Sequence, residues 1–280
     1  IGAYGHMLAM TRAVGADPER LLLRLPLELR YADGFHLRAP RLPAPLNFAA
    51  ALLGANGLEL AAAFSAARFL RALQSTGYRV APDRSVTQLL AEHGQAGRLR
   101  SHLWEPLCVS ALNTPAATAS AQVFAHVLRD ALTGARANSD LLIPRTDLGA
   151  LFPEPAAHYV HAHGGTLLPG VAVRRIAWDA GSFTVDGRPE RYRQVILAVA
   201  PQHASALLEP LLAHCPALAA TRQRIERLTY EPIVTCYLQY PHGASLGVPM
   251  LGFTGGIVQW AFDRSLIAEQ GSDGLIAVVI

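Results

Sequence analysis

The chain has 280 residues, 51% of them hydrophobic and 16% charged, with a formal net charge of +3. That length holds one large domain or two interleaved ones, and so small a charge, with no arginine run mixed with aromatics, excludes nucleic-acid binding. All 24 residues in the Lys plus Arg count are arginine, so any chemistry that needs a lysine, such as a Schiff base, is excluded within these residues.

The chain opens at Ile1 without an initiator methionine or signal-peptide architecture. Residues 3–16 are predicted to be helical, with Tyr4, Met7, Leu8, Met10 and Val14 at helical spacing and Gly15 as the stop. Residues 27–37 (LELRYADGFHL) alternate as a hairpin turning at Asp33 and Gly34. The proline-punctuated run 38–45 (RAPRLPAP) is a connector.

A very apolar helical region follows from Leu46 to about Leu73, broken near Gly54–Gly57. Each half is too short, and Glu59, Arg68 and Arg71 interrupt it, so no membrane span is predicted. A buried helical pair and a helical segment lying at a membrane interface both fit its composition. Ser85 is a plausible N-cap for the next helix. Pro106 and Pro115 punctuate the run 103–132, and residues 116–132 read as a long amphipathic helix. Thr146 or Asp147 opens a further helix that runs to His163.

Residues 164–201 read as a strand, a short β-meander turning at Asp186 and Gly187, and a last apolar strand ending in a turn. Such a unit exposes strand edges and belongs to a larger sheet. Helices are predicted over 201–212 and 218–228, and strands over 232–240, 250–253, 257–262 and 275–280. The last of these stops inside an apolar run, so the chain reads as an internal piece of a longer protein. There is no internal repeat.

The chemistry-bearing residues are sparse. Cys108, Cys215 and Cys236 are odd in number and far apart, which suits reduced thiols in a cytoplasmic compartment. His158, His161 and His163 cluster at a helix end, where histidines satisfy carbonyls, and no metal is assigned. GxGxxG, GxxxxGK[ST] and HExxH are absent. On the residues alone the chain is an α/β protein with a large apolar helical part, and a Cys–His nucleophile or a carboxylate pair stays open.

Residues 103–107 (LWEPL), 111–114 (ALNT) and 119–121 (ASA) resemble the flavin-dependent amine oxidase and phytoene desaturase superfamily. Residues 2–35, 41–53 (RLPAPLNFAAALL), 230–241 (YEPIVTCYLQYP) and 255–264 (GGIVQWAFDR) are similar to its squalene-associated FAD-dependent desaturase group, also called hydroxysqualene dehydroxylases. The resemblance implies an α/β (α+β) fold in which part of an FAD/NAD(P)-binding-type domain is interleaved with a helical and antiparallel-sheet substrate domain. It implies substrate domain over 1–139, the middle segment of the FAD domain over 140–212, and substrate domain again over 213–280.

By the same resemblance, Val173, Ala198 and Pro201 meet the FAD, while the family's N-terminal GxGxxG unit and its C-terminal FAD segment are missing. FAD binding by these residues alone is therefore expected to be weak or absent, and this chain alone inactive. The implied substrate is a C30 isoprenoid, hydroxysqualene reduced to squalene for hopanoid synthesis. The alternatives are a carotenoid-type desaturase, an amine oxidase, or a non-catalytic isoprenoid-binding module. Asn113, Gln259 and Asp263 are candidate polar residues near the reaction, and Trp104, Trp260 and Phe48 candidate pocket walls. Contact with the inner face of a membrane is a further expectation.

Overall fold

The computed structural model describes residues 1–268 and 271–280, which divide into two compact units. One comprises Ile1–Gly165 with Ile233–Ile280, the other Thr166–Pro232.

The first unit begins with α1 (Gly5–Ala13) and α2 (Pro18–Leu21), the latter capped by the Asp17 carboxylate. Strand β1 (Leu22–Leu25) follows, then the hairpin of β2 (Glu28–Arg30) and β3 (His36–Arg38). Gly34 takes φ +89° in its turn, as the Asp-Gly pair foretold. Next come α3 (Leu46–Leu53), α4 (Leu60–Ser75) and α5 (Val86–Glu92), with Ser85 and Gln88 forming a capping box on α5.

A short turn, α6 (Gly97–Leu99), leads into a π-helical turn over Arg100–Trp104 and then α7 (Glu105–Leu112). The amphipathic helix α8 (Ala121–Leu132) starts later than its apolar run suggested, because Ser120 caps it by accepting from the Val123 N–H. A 3₁₀ turn (Arg136–Ser139) leads to β4 (Leu141–Pro144), α9 (Leu148–Leu151) and α10 (Pro153–Ala162).

The core lies among these helices. Phe69, Trp104, Phe124, Leu90 and Leu128 are all at most 1% exposed and belong to one apolar cluster. Burial of each large side chain contributes about 1.5–3 kcal/mol.

In the second unit, β5 (Ile176–Asp179) and β6 (Ser182–Val185) pair as a hairpin, and α11 (Pro201–Leu208) packs against α12 (Leu218–Glu226). The hairpin turns at Ala180 and Gly181, φ +46° and +80°, rather than at the predicted Asp186 and Gly187. The Asp186 carboxylate instead accepts the N–H groups of Arg174 and Arg175, both at 2.8 Å, and so ties the chain entering β5 to the chain leaving β6. The predicted last strand, near 194–200, is extended but unpaired, with Ile196 87% exposed. Its apolar pattern is strand-like, yet within this unit only a single bridge, Phe183 to Tyr192, forms beside it.

The chain returns to the first unit as β7 (Thr235–Gln239), β8 (Met250–Gly252), β9 (Trp260–Asp263), α13 (Arg264–Ile267) and β10 (Leu275–Val279). Its antiparallel sheet has the order β7-β10-β9-β8. Leu141–Pro144 pairs with Leu22–Leu25, which draws 140–165 into the first unit, and α12 packs on α11, which holds 213–232 in the second.

Candidate active site

The first unit holds a cavity of about 730 Å³, within the range of small-molecule sites. Its walls come from separated segments. Leu29 is supplied by β2, Phe48 by α3, Leu103 by the π-helical turn, Leu107 by α7, and Trp260 and Phe262 by β9. Phe48 and Trp260, both expected at a pocket, lie on this wall. Trp104 does not: it is fully buried behind it, packs edge-on against Phe69, and donates its indole N–H to Gln95 Oε1 at 2.9 Å.

Most polar lining comes from the stretch that ends α8 and continues to β4, namely Arg129, Asp130, Thr133, Asn138 and Ser139. Arg129 Nε donates to Asp130 at 2.8 Å, so the cavity's one lining carboxylate is already paired. Asn138 donates to the Thr133 carbonyl at 3.3 Å, and Ser139, which donates to the Arg136 carbonyl, accepts from Asn47 at 3.2 Å. The neighbouring Asp140, 2% exposed, is held between Arg24 and Arg136 at 3.2 and 2.9 Å. The cavity is thus a largely apolar chamber with most of its polar groups on one segment.

The π-helical turn sets two inward side chains beside Leu103. A π turn inserts an extra residue into a helix, which changes the face that follows it. His102, 4% exposed, lies against Tyr31 and Phe35, each ring centroid 4.8 Å away. Its Nε2 donates to Asp33 at 2.9 Å, since a carboxylate only accepts. Nδ1 pairs with the Ser101 hydroxyl at 2.8 Å. The hydrogen bond from His102, with the backbone N–H of Phe35 and the nearby Arg98, holds the Asp33 carboxyl below its ordinary range. This wiring fixes the β2–β3 turn against the helices. Burial, reinforced by Asp33, pushes the Tyr31 phenol well above its usual pKa.

The expected polar candidates do not converge on the cavity. Asn113 caps α7 at φ +46°, its N–H donating to the Val109 carbonyl. Gln259 is exposed, and its main chain bonds Phe253 and Val279. Asp263 does not line the cavity. It is fully buried and accepts from Ser245 Oγ (2.6 Å), the Leu246 N–H (2.7 Å), the Ser265 N–H (3.0 Å) and Ser265 Oγ (2.5 Å). Burial alone would raise its pKa, but these donors outweigh that and leave it below the ordinary value. Arg264 does not pair with it and donates to the Pro144 carbonyl instead.

Sequence reasoning passed over one motif. Residues 243–247 (GASLG) read as GxSxG, the spacing of a nucleophile elbow. Here the run lies between β7 and β8 with no helix after it, and the Ser245 hydroxyl donates to Asp263 rather than to a histidine. It is a loop anchor. At Cys108, burial and the nearby Glu105 push the thiol up to about 11, which speaks against a nucleophilic role there. The polar segment 129–139 and the cavity wall at Met250 and Phe262 carried no sequence signal, because tertiary packing alone brings them together.

In the second unit, Val173 is 44% exposed and outside any ladder, Ala198 is exposed, and Pro201 is the first residue of α11. Among the described residues, no helix is long and apolar enough to cross a membrane.

Residues 3–274 match the family model described as flavin containing amine oxidoreductase. A hydroxysqualene dehydroxylase of Sinorhizobium fredii (strain NBRC 101917 / NGR234) is 28% identical in an alignment 195 residues long that covers 65% of this chain and 42% of that protein. Among solved structures, putrescine oxidase bound to putrescine superposes with TM-score 0.62 at 13% identity, covering 99% of this chain and 62% of that one. Cyclohexylamine oxidase from Brevibacterium oxydans IH-35A gives 0.59 at 18%, covering 99% and 61%. An oxidoreductase from Methanosarcina mazei gives 0.62 at 14%, covering 92% and 61%. The chain therefore spans less than half of the curated relative and about three-fifths of these structural neighbours. Its mixed helices and antiparallel sheets are those of the FAD-binding amine oxidase type, and the chain belongs to the flavin-containing amine oxidoreductase family.

Proposed function

We propose that the chain supplies the substrate chamber of an FAD-dependent oxidoreductase that acts on a C30 isoprenoid, with reductive removal of the hydroxyl of hydroxysqualene as the reaction. The observation that carries this reading is the chamber itself: apolar and aromatic on most sides, polar along 129–139. The similarity to a hydroxysqualene dehydroxylase supports it.

The residues present do not by themselves cradle the flavin. The family's GxGxxG loop is absent, and Val173, Ala198 and Pro201 lie exposed. On this reading, segments outside residues 1–280 complete the cofactor site. When bound, the flavin supplies hydride chemistry.

What this chain does is bind, orient and exclude water. The apolar walls take up the hydrocarbon, and the hydroxyl groups of Thr133 and Ser139 with the amide of Asn138 orient a substrate hydroxyl. On this reading the substrate hydroxyl takes up a proton from solvent and leaves as water, and the allylic carbocation left behind is stabilised by the rings of Phe48, Trp260 and Phe262. An amine substrate fits less well: its ammonium would meet one carboxylate, Asp130, already held by Arg129.

The test is turnover by the full-length flavoprotein. Hydroxysqualene with reduced flavin should give squalene, read by mass spectrometry. Oxidation of putrescine or cyclohexylamine with no squalene formed would sink the reading. Isoprenoid binding without turnover would favour a binding module.

A further inference from the structure

The outward face of α4 is apolar at one end and cationic at the other. Leu60, Phe64, Arg68 and Arg71 follow at intervals of four, four and three residues, which places them along one face of the helix. All four are exposed, Leu60 to 62% and Phe64 to 67%, while Ala63, Ala66, Phe69 and Leu73 face the core. Helix α3 packs on α4 and also exposes apolar side chains, Leu46 and Leu53 one heptad apart, with Phe48 buried at the cavity wall.

The charges on this stretch are one-sided. Residues 41–75 carry three arginines, Arg41, Arg68 and Arg71, and a single carboxylate, Glu59. Among the described residues none of the three arginines makes an ion pair, whereas Arg12, Arg24, Arg38, Arg98 and Arg129, also exposed, do. Exposed leucine and phenylalanine beside unpaired arginines is the composition of a helix that lies in a lipid interface. There the apolar side chains enter the acyl boundary and the guanidinium groups meet anionic headgroups. Within a soluble complex, three unpaired arginines would need carboxylates from the partner, and no feature of the stretch specifies them.

We propose that the outward faces of α3 and α4 seat the protein on an anionic lipid bilayer. Helix α3 then has two apolar sides, Leu46 and Leu53 toward lipid and Phe48 toward the chamber. The proposal is independent of the reaction, since it requires neither flavin nor a particular substrate.

Flotation of the full-length protein with vesicles tests it, using phosphatidylcholine alone or mixed with phosphatidylglycerol. Binding is expected on the anionic vesicles, weaker on the neutral ones, and weakened by salt. The pair Leu60→Glu and Phe64→Glu should abolish it. Arg68→Gln and Arg71→Gln should each weaken it roughly five-fold and flatten its salt dependence. Leu148→Glu, at another exposed leucine on α9, should leave it unchanged. All these positions are exposed, so far-UV circular dichroism should match the parent. Equal binding to both vesicle types, no binding to either, or full binding by the Phe64→Glu variant overturns the proposal. So does a concentration-dependent dimer that Phe64→Glu disrupts in the absence of lipid binding.

Discussion

The two units handle similar apolar material in opposite ways. The first closes it: Trp104, Phe69, Phe124 and Leu90 are at most 1% exposed within one continuous cluster. The second has a small cluster around Ile176, Leu207 and Leu211, and leaves Ile196, Leu168 and Val173 at 87%, 55% and 44% exposure. Both are rich in strand- and helix-forming hydrophobes, so composition does not distinguish them. What differs is whether each segment finds a partner. The helices of the first unit bury one face locally, whereas the extended runs of the second require strands beside them. Stability should therefore be concentrated in the first unit.

The sharpest way to break this comparison is a core truncation. Trp104→Ala removes the ring from Phe48 and Phe69 and strands the Gln95 carbonyl, and should cost about 3–5 kcal/mol in denaturant unfolding. Ile196→Ala in the second unit should fall within about 0.5 kcal/mol. Equal effects would mean that the second unit buries more than the described contacts show.

Asp263→Ala removes the acceptor for four donors and should cost about 1.5–3 kcal/mol. The pH dependence sharpens the point. Because the folded carboxyl lies below its ordinary pKa, its contribution is fully present above about pH 4 and fades as pH falls through the folded value. Acid unfolding of the parent should accordingly be steeper than that of Asp263→Asn, and identical profiles would argue against the cap.

Gly252→Ala probes the chamber wall. A Cβ there would sit 2.7 Å from the Tyr31 ring and 2.9 Å from Trp260, an overpacking cost of about 1–3 kcal/mol. Displacement of Trp260 should change its fluorescence, and an unchanged spectrum would mean that the ring has room to yield. The smallest effect concerns where the chain is cut. Limited proteolysis should nick the second unit first, near 187–200, and leave the first unit intact.

Local chemistry made much of the fold legible. The Asp33-Gly34 turn, the Ser85 cap and the terminal strand at 275–279 each carry their cause within a few residues. Errors arose where two local signals competed, as at Ala180-Gly181 against Asp186-Gly187. Both pairs adopt positive φ, but only the first connects paired strands. The site was legible only in part. Phe48 and Trp260 lie on its wall, but Asp263 looked reactive from its type and is held by its neighbours. Segment 129–139 was invisible because nothing in it marks a cavity until β4 pairs with β1.

The π-helical turn at 100–104 also bears on how such a chamber could diversify. An α-helix advances about 100° per residue. Deleting one residue from this turn would restore regular winding and swing Leu107 and Ala111 by roughly that angle away from the chamber, without any change to their identities. A single-codon deletion or insertion there would thus redraw the chamber's outline in one genetic step, while the helix that carries it keeps its sequence.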